Sequence, residues 1–127
     1  MTLPFDPKAV VIVVPTRLWG PAGDTVVRLA LDTGTTESMV NWDVVVLLGY
    51  DPAIVPDRVQ MTTVSGVEFA PRIVVEKVEA IGQERQNFPI ICHTLPPSAP
   101  VNGLLGLDFF RGLRLVVDFR GGLLTVE

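Results

Sequence analysis

The 127 residues amount to one domain's length, and a hydrophobic content of 48% is enough for one core without disulfide or metal staples. Charged residues make up 19%, and 10 basic against 14 acidic side chains leave a net charge of −4, which argues against nucleic acid as a partner. The longest apolar runs, Ala9–Val14 and Val44–Leu48, fall far short of the roughly 18–20 residues that span a bilayer, so no membrane association is expected. The opening Met1-Thr2-Leu3-Pro4-Phe5-Asp6 has an acid, an early Pro and no basic region, unlike a secretory signal. A single cysteine, Cys92, rules out an intramolecular disulfide and a multi-cysteine zinc site and agrees with a reducing compartment, so the expected location is cytoplasmic.

Eleven Gly, eleven Pro and abundant Val and Ile favour many short strands, and the predicted class is all-β. Val10–Val14 reads as a strand closed by Pro15, followed by a loop over Trp19–Asp24 and a strand over Thr25–Leu31, where Val27, Leu29 and Leu31 alternate with Arg28 and Ala30. Asn41–Gly49 predicts a short helix, with Asn41 as N-cap, Asp43 at the positive end of the dipole and Gly49 at C′, although the Val44–Val46 triplet also suits a strand. Arg58–Val64 and Val67–Val75 flank the turn signal Ser65-Gly66; Val74–Ala80 and Glu84–His93 flank Ile81-Gly82-Gln83. Leu95–Pro100 is a Pro-rich loop, Leu107–Gly112 a short helix-like stretch, and Leu113–Phe119 and Leu123–Glu127 a closing hairpin around Arg120-Gly121-Gly122. No repeat, low-complexity tract or linker divides residues 1–127, which read as one domain.

Chemistry concentrates where the strand Leu29-Ala30-Leu31 stops at Asp32-Thr33-Gly34-Thr35-Thr36. A carboxylate beside a core strand is costly unless backbone donors or a partner charge compensate it. Asp-Thr-Gly is also ordinary turn chemistry. A distant segment, Asn102-Gly103-Leu104-Leu105-Gly106-Leu107-Asp108-Phe109-Phe110, adds a second feature.

With these two segments in this order, the chain resembles the retropepsin-like aspartic proteases from about Thr25 to Glu127. In that family an apolar strand runs into Asp-Thr/Ser-Gly, a flap hairpin follows, and a hydrophobic-hydrophobic-Gly strand leads into a short helix before the last strands. Here these are Leu31-Asp32-Thr33-Gly34, the hairpin around Val64-Ser65-Gly66-Val67, Leu104-Leu105-Gly106, and Asp108–Gly112. The resemblance implies a closed β-barrel with a flap hairpin and one or two short helices, and an endopeptidase that uses two aspartates sharing one proton. Only one Asp-Thr-Gly is present, and Asp118-Phe119-Arg120 does not supply a second, so the resemblance implies a homodimer in which two copies of Asp32 meet across a two-fold axis. Its interface is expected around the chain termini and the Asp32 loop.

The resemblance also implies roles for the neighbours. Gly34 lets the backbone approach the carboxylate with its N–H directed at it, the Thr33 hydroxyl bonds across the dimer, and Thr35 offers a hydroxyl near the carboxylate. The tip Val64, Ser65 and Gly66 would cover a peptide or protein substrate bound as an added strand, although an exposed hairpin is the alternative. Leu104, Leu105 and Gly106 form a second loop behind the dyad. Retroviral members pair an Arg after the glycine of that motif with an acid near the catalytic loop; Leu107 and Thr36 stand here instead, which implies loops held by apolar packing.

No cofactor or metal is expected. Cys92 and His93 alternate across a strand and cannot form a local pair, and Cys92 reads as a core residue. Glu76, Glu79 and Glu84 read as a solvated face. The alternatives are a catalytically inactive dimerisation or peptide-binding module on the same fold, and a barrel in which Asp32 only caps a turn.

Overall fold

The computed structural model describes residues 1–63 and 66–127. Its β-branched, Gly-punctuated segments form β1 (Thr2–Pro4), β2 (Val13–Gly20), β3 (Gly23–Leu31), β4 (Met39–Val40), β5 (Arg58–Thr63), β6 (Gly66–Ala80), β7 (Gln83–Cys92), β8 (Gly103–Leu105), β9 (Leu115–Asp118) and β10 (Leu123–Val126). The helices α1 (Trp42–Leu47) and α2 (Leu107–Phe110) and a 3-10 turn at Pro52–Ile54 complete the described chain. No helix among the described residues is long and apolar enough to cross a membrane.

Strands β2, β3, β8, β4, β7 and β6 pair in that order, and β2 closes on β6 through Arg17–Trp19, giving a six-stranded barrel from which β5 extends beside β6. A second sheet, β1-β10-β9, contributes Leu124 and Val126 to the same core as Leu18, Leu29, Val75, Ile90, Leu105 and Phe109 of the barrel and α2. Each of these side chains is at most 1% exposed, so each contributes about 1.5–3 kcal/mol of burial. Phe109 meets the rings of Phe88 and Phe110 edge-on.

Several element boundaries differ from expectation for identifiable reasons. Pro15 does not close a strand at Val10–Val14: residues 9–11 bend, and β2 runs from Val13 through Pro15 to Gly20, leaving only Pro21-Ala22 as the turn. Leu31 N–H donates to Ile12 O, so the register turns the amides of odd-numbered β2 residues away from β3; beyond Pro15 that side has no strand until β6 joins at Arg17. The missing donor therefore costs no ladder bond. The two strands expected at Val67–Val75 and Val74–Ala80 are one long strand, β6, whose first half pairs β5 and whose second half pairs β7. The β6–β7 turn shortens to Ile81-Gly82, both at positive φ as a tight hairpin requires. The helix at Asn41–Gly49 contracts to α1, and the Asn41 side chain does not cap it but accepts from Leu95 N–H at 3.0 Å. The stretch Leu107–Gly112 contracts to α2, and β1 and β4 are additional strands.

Candidate active site

The site is built by inserting β8 between β3 and β4. Leu29, Ala30 and Leu31 pair in parallel with Gly103, Leu104 and Leu105, while Met39 and Val40 pair antiparallel to Leu104 and Gly103. Gly103 is required by this crossing: a Cβ there would collide with the Met39 carbonyl oxygen and come within 2.8 Å of Val40 Cα. The last barrel bond on this side, Asp32 N–H to Leu105 O at 3.0 Å, fixes where β3 ends and the loop begins.

Asp32 is half-buried at that end, with Thr33 and Gly34 exposed beyond it. Its Oδ1 accepts the Gly34 N–H at 2.9 Å, and a Cβ on Gly34 would sit 3.1 Å from the same oxygen. Thr35 N–H returns to Asp32 O at 3.3 Å, and Leu107 N–H donates to Thr35 O at 2.9 Å. Gly106 lies against the loop so closely that a Cβ would come within 2.8 Å of Thr35 O and Thr35 Cγ2. The structure thus brings Leu104, Leu105 and Gly106 behind Asp32, Gly34 and Thr35. The Thr35 hydroxyl does not bond the carboxylate: it donates to Glu37 O at 3.4 Å.

The loops are also not held by apolar packing alone. Ser38 Oγ donates to Asp108 Oδ1 at 2.6 Å and accepts the Gly106 N–H at 2.9 Å, and Ser38 N–H donates to Asp108 Oδ2 at 2.8 Å. Glu37 pairs with Arg72 of β6 at 2.7 Å, and Arg72 reaches Asp57 at 3.5 Å. The Glu37 carboxylate raises the Arg72 guanidinium above its ordinary pKa. Motif spacing does not mark Glu37, Ser38 or Arg72 as partners; the one available signal is the acid Asp108, two residues after Gly106.

Between the Asp32 loop and β5 runs a groove of about 300 Å3 lined by Thr36, Glu37, Met39, Val59, Met61 and Ile91. Val59 and Met61 pack on Met39, Ala70 and Ile91, as does Leu104 of β8, which tethers β5 to the loop region. The tip residues Val64 and Ser65 lie outside the described residues; Gly66 opens β6 with φ +125°. A larger hollow, about 520 Å3 beside Trp42, Phe69 and His93, does not include the Asp32 loop. Cys92 is 2% exposed and burial pushes its thiol up to about 11, which suits a packed core side chain rather than a nucleophile. Among the described residues no cluster of His, Cys, Asp or Glu forms a metal-ligand set.

A family profile described as aspartyl protease matches residues 14–109. Comparison with curated proteins gives no match. Among solved structures, a retropepsin-like aspartic protease from Rickettsia conorii has a TM-score of 0.75 at 16% identity, covering 99% of this chain and 88% of its own. The retroviral protease-like domain of Ddi1 from Leishmania major has a TM-score of 0.61 at 20% identity, covering 94% and 90%. At these identities the two structures speak to the fold, which is retropepsin-like.

Proposed function

The chain belongs to the aspartyl protease family, and from that premise we propose that residues 1–127 act as one homodimeric endopeptidase domain in which Asp32 of each protomer supplies half of the catalytic pair. The observation that carries this reading is the half-buried Asp32 carboxylate, aimed by the Gly34 N–H on a loop braced by β8, next to a groove able to take a peptide side chain. One such loop per chain makes half an active site.

Two carboxylates brought close together cannot both ionise readily, so the pair holds one proton. The ionised member takes a proton from a water that attacks the scissile carbonyl carbon, and the protonated member donates to the carbonyl oxygen. As the C–N bond breaks, one carboxyl gives its proton to the leaving nitrogen while the other carboxylate takes back the proton of the gem-diol hydroxyl as the carbonyl re-forms, which returns the pair to its singly protonated state. Thr33, exposed beside Asp32, would bond its counterpart across the two-fold axis. The Val64-Ser65-Gly66 tip would close over the peptide as a flap. Scarce cysteine favours action in the cytoplasm.

The test is digestion of an unbiased peptide mixture between about pH 3 and 7, with and without a statine-type inhibitor, comparing the wild type with Asp32→Asn. Inhibitor-sensitive cleavage lost in the variant supports the protease. Peptide binding without cleavage in both chains would instead make the protein a peptide-binding module.

A further inference from the structure

Among the described residues Glu37 is the one charged side chain lining the groove beside the Asp32 loop; the rest of the lining is uncharged, with Thr36, Gln60 and Thr62 beside the apolar Met39, Val59 and Met61. A lone carboxylate in such a groove would draw a cation. Arg72, however, stands behind it, outside the lining, with Nη2 2.7 Å from Glu37 Oε1 and Nη1 3.5 Å from Asp57 Oδ2. Its backbone N–H also donates to Asp57 O at 2.9 Å, which ties β6 to the segment entering β5. Nε is buried with no hydrogen-bond partner among the described residues, so the two terminal nitrogens carry the attachment. One fork-shaped cation thus joins the loop that follows Asp32 to the root of the hairpin, a geometry that a single ammonium would not reproduce.

We propose that Arg72 is a positioning residue that sets the charge selectivity of this groove: by holding and neutralising Glu37 it reserves the groove for an uncharged substrate side chain, and its loss converts the groove to one that takes Lys or Arg. The inference rests on the reading of the groove as a peptide site. Without Arg72, Glu37 has no other ion-pair partner among the described residues, and a substrate ammonium becomes its replacement partner.

The experiment compares wild type, Arg72→Met, Glu37→Gln and the double variant on peptide pairs that differ at one position by norleucine or lysine. The wild type should prefer norleucine at the position that enters the groove. Arg72→Met should shift the preference there toward lysine by about tenfold, mainly through KM, the scale of a hydrogen bond to a charged group. The double variant, lacking the carboxylate as well, should return to norleucine. A loss affecting both peptides equally, or a shift that persists in the double variant, overturns the proposal. Arg72→Gln guards against misfolding of Arg72→Met, and a folded Arg72→Gln with wild-type preference also overturns it. If the wild type cleaves nothing, the protease reading fails by itself. The same pairs, fluorescein-labelled and titrated against the four chains carrying Asp32→Asn, then read the preference as Kd; an unchanged ratio or no binding overturns the proposal.

Discussion

Ser38 Oγ donates to Asp108 Oδ1 at 2.6 Å, joining the residue before β4 to the first turn of α2 across 70 positions of sequence. Ser38 is fully buried, and its hydroxyl also accepts the Gly106 N–H. Asp108 Oδ1 accepts its neighbour's Phe109 N–H at 2.9 Å. The pair therefore satisfies donors from two segments that both press on the Asp32 loop. It does the bracing expected of the Arg–acid pair that Leu107 and Thr36 cannot form.

Removing one partner leaves buried groups unsatisfied. Ser38→Ala should cost about 1.5–3 kcal/mol in urea-induced unfolding, the range for hydrogen bonds to a charged group. Asp108→Asn should cost a similar amount, because whichever way its amide turns, the NH2 faces a group that already donates, either Ser38 N–H or Ser38 Oγ–H and Phe109 N–H. In a double-mutant cycle the two losses should overlap by about 1 kcal/mol or more; strict additivity would contradict the bracing role.

Gly103→Ala tests the crossing of β8 directly. Its Cβ would meet the Met39 carbonyl and Val40 Cα, both backbone, so no side chain can yield. We expect a loss of about 3 kcal/mol, at the severe end for overpacking. The same substitution at Gly112, where a Cβ meets nothing within 4 Å but φ is +79°, should cost less, about 1 kcal/mol from backbone strain. Thermal unfolding of the two variants gives the comparison.

How much of this was legible in the sequence depends on range. The Asp32 loop, the β6–β7 hairpin and the β9–β10 hairpin announce themselves through local signals: an apolar run that stops, or a Gly between alternating residues. Strand β4 has only two residues and exists because β8 and β7 flank it, so it carries no periodicity of its own. The continuity of β6 depends on exchanging one partner strand for another. Pro15 was a sound stop signal overridden by register. The Glu37–Arg72 and Ser38–Asp108 contacts join residues far apart in sequence, which composition and motif spacing do not encode.

Cys92 predicts a pH dependence of stability. Burial raises its thiol from an ordinary 9.0 to about 11, so between those values the folded state holds a proton that the unfolded state releases. The unfolded state then binds fewer protons, and stability falls as pH rises from 9.0 to about 11. Cys92→Val removes this contribution, so denaturant titrations across that window should show a shallower decline than the wild type. Equal slopes would mean the thiol is more accessible than its 2% exposure implies.

Asp32→Asn offers a test of the half-site arrangement that does not depend on knowing the substrate. The amide oxygen can still accept the Gly34 N–H, so unfolding midpoints should move little, within about 0.5 kcal/mol. Mixed with wild type and allowed to exchange, variant protomers should form heterodimers with one ionisable carboxylate, and activity should fall as the square of the wild-type fraction. A linear fall would indicate that each protomer works alone, and would require a second catalytic group within the same chain.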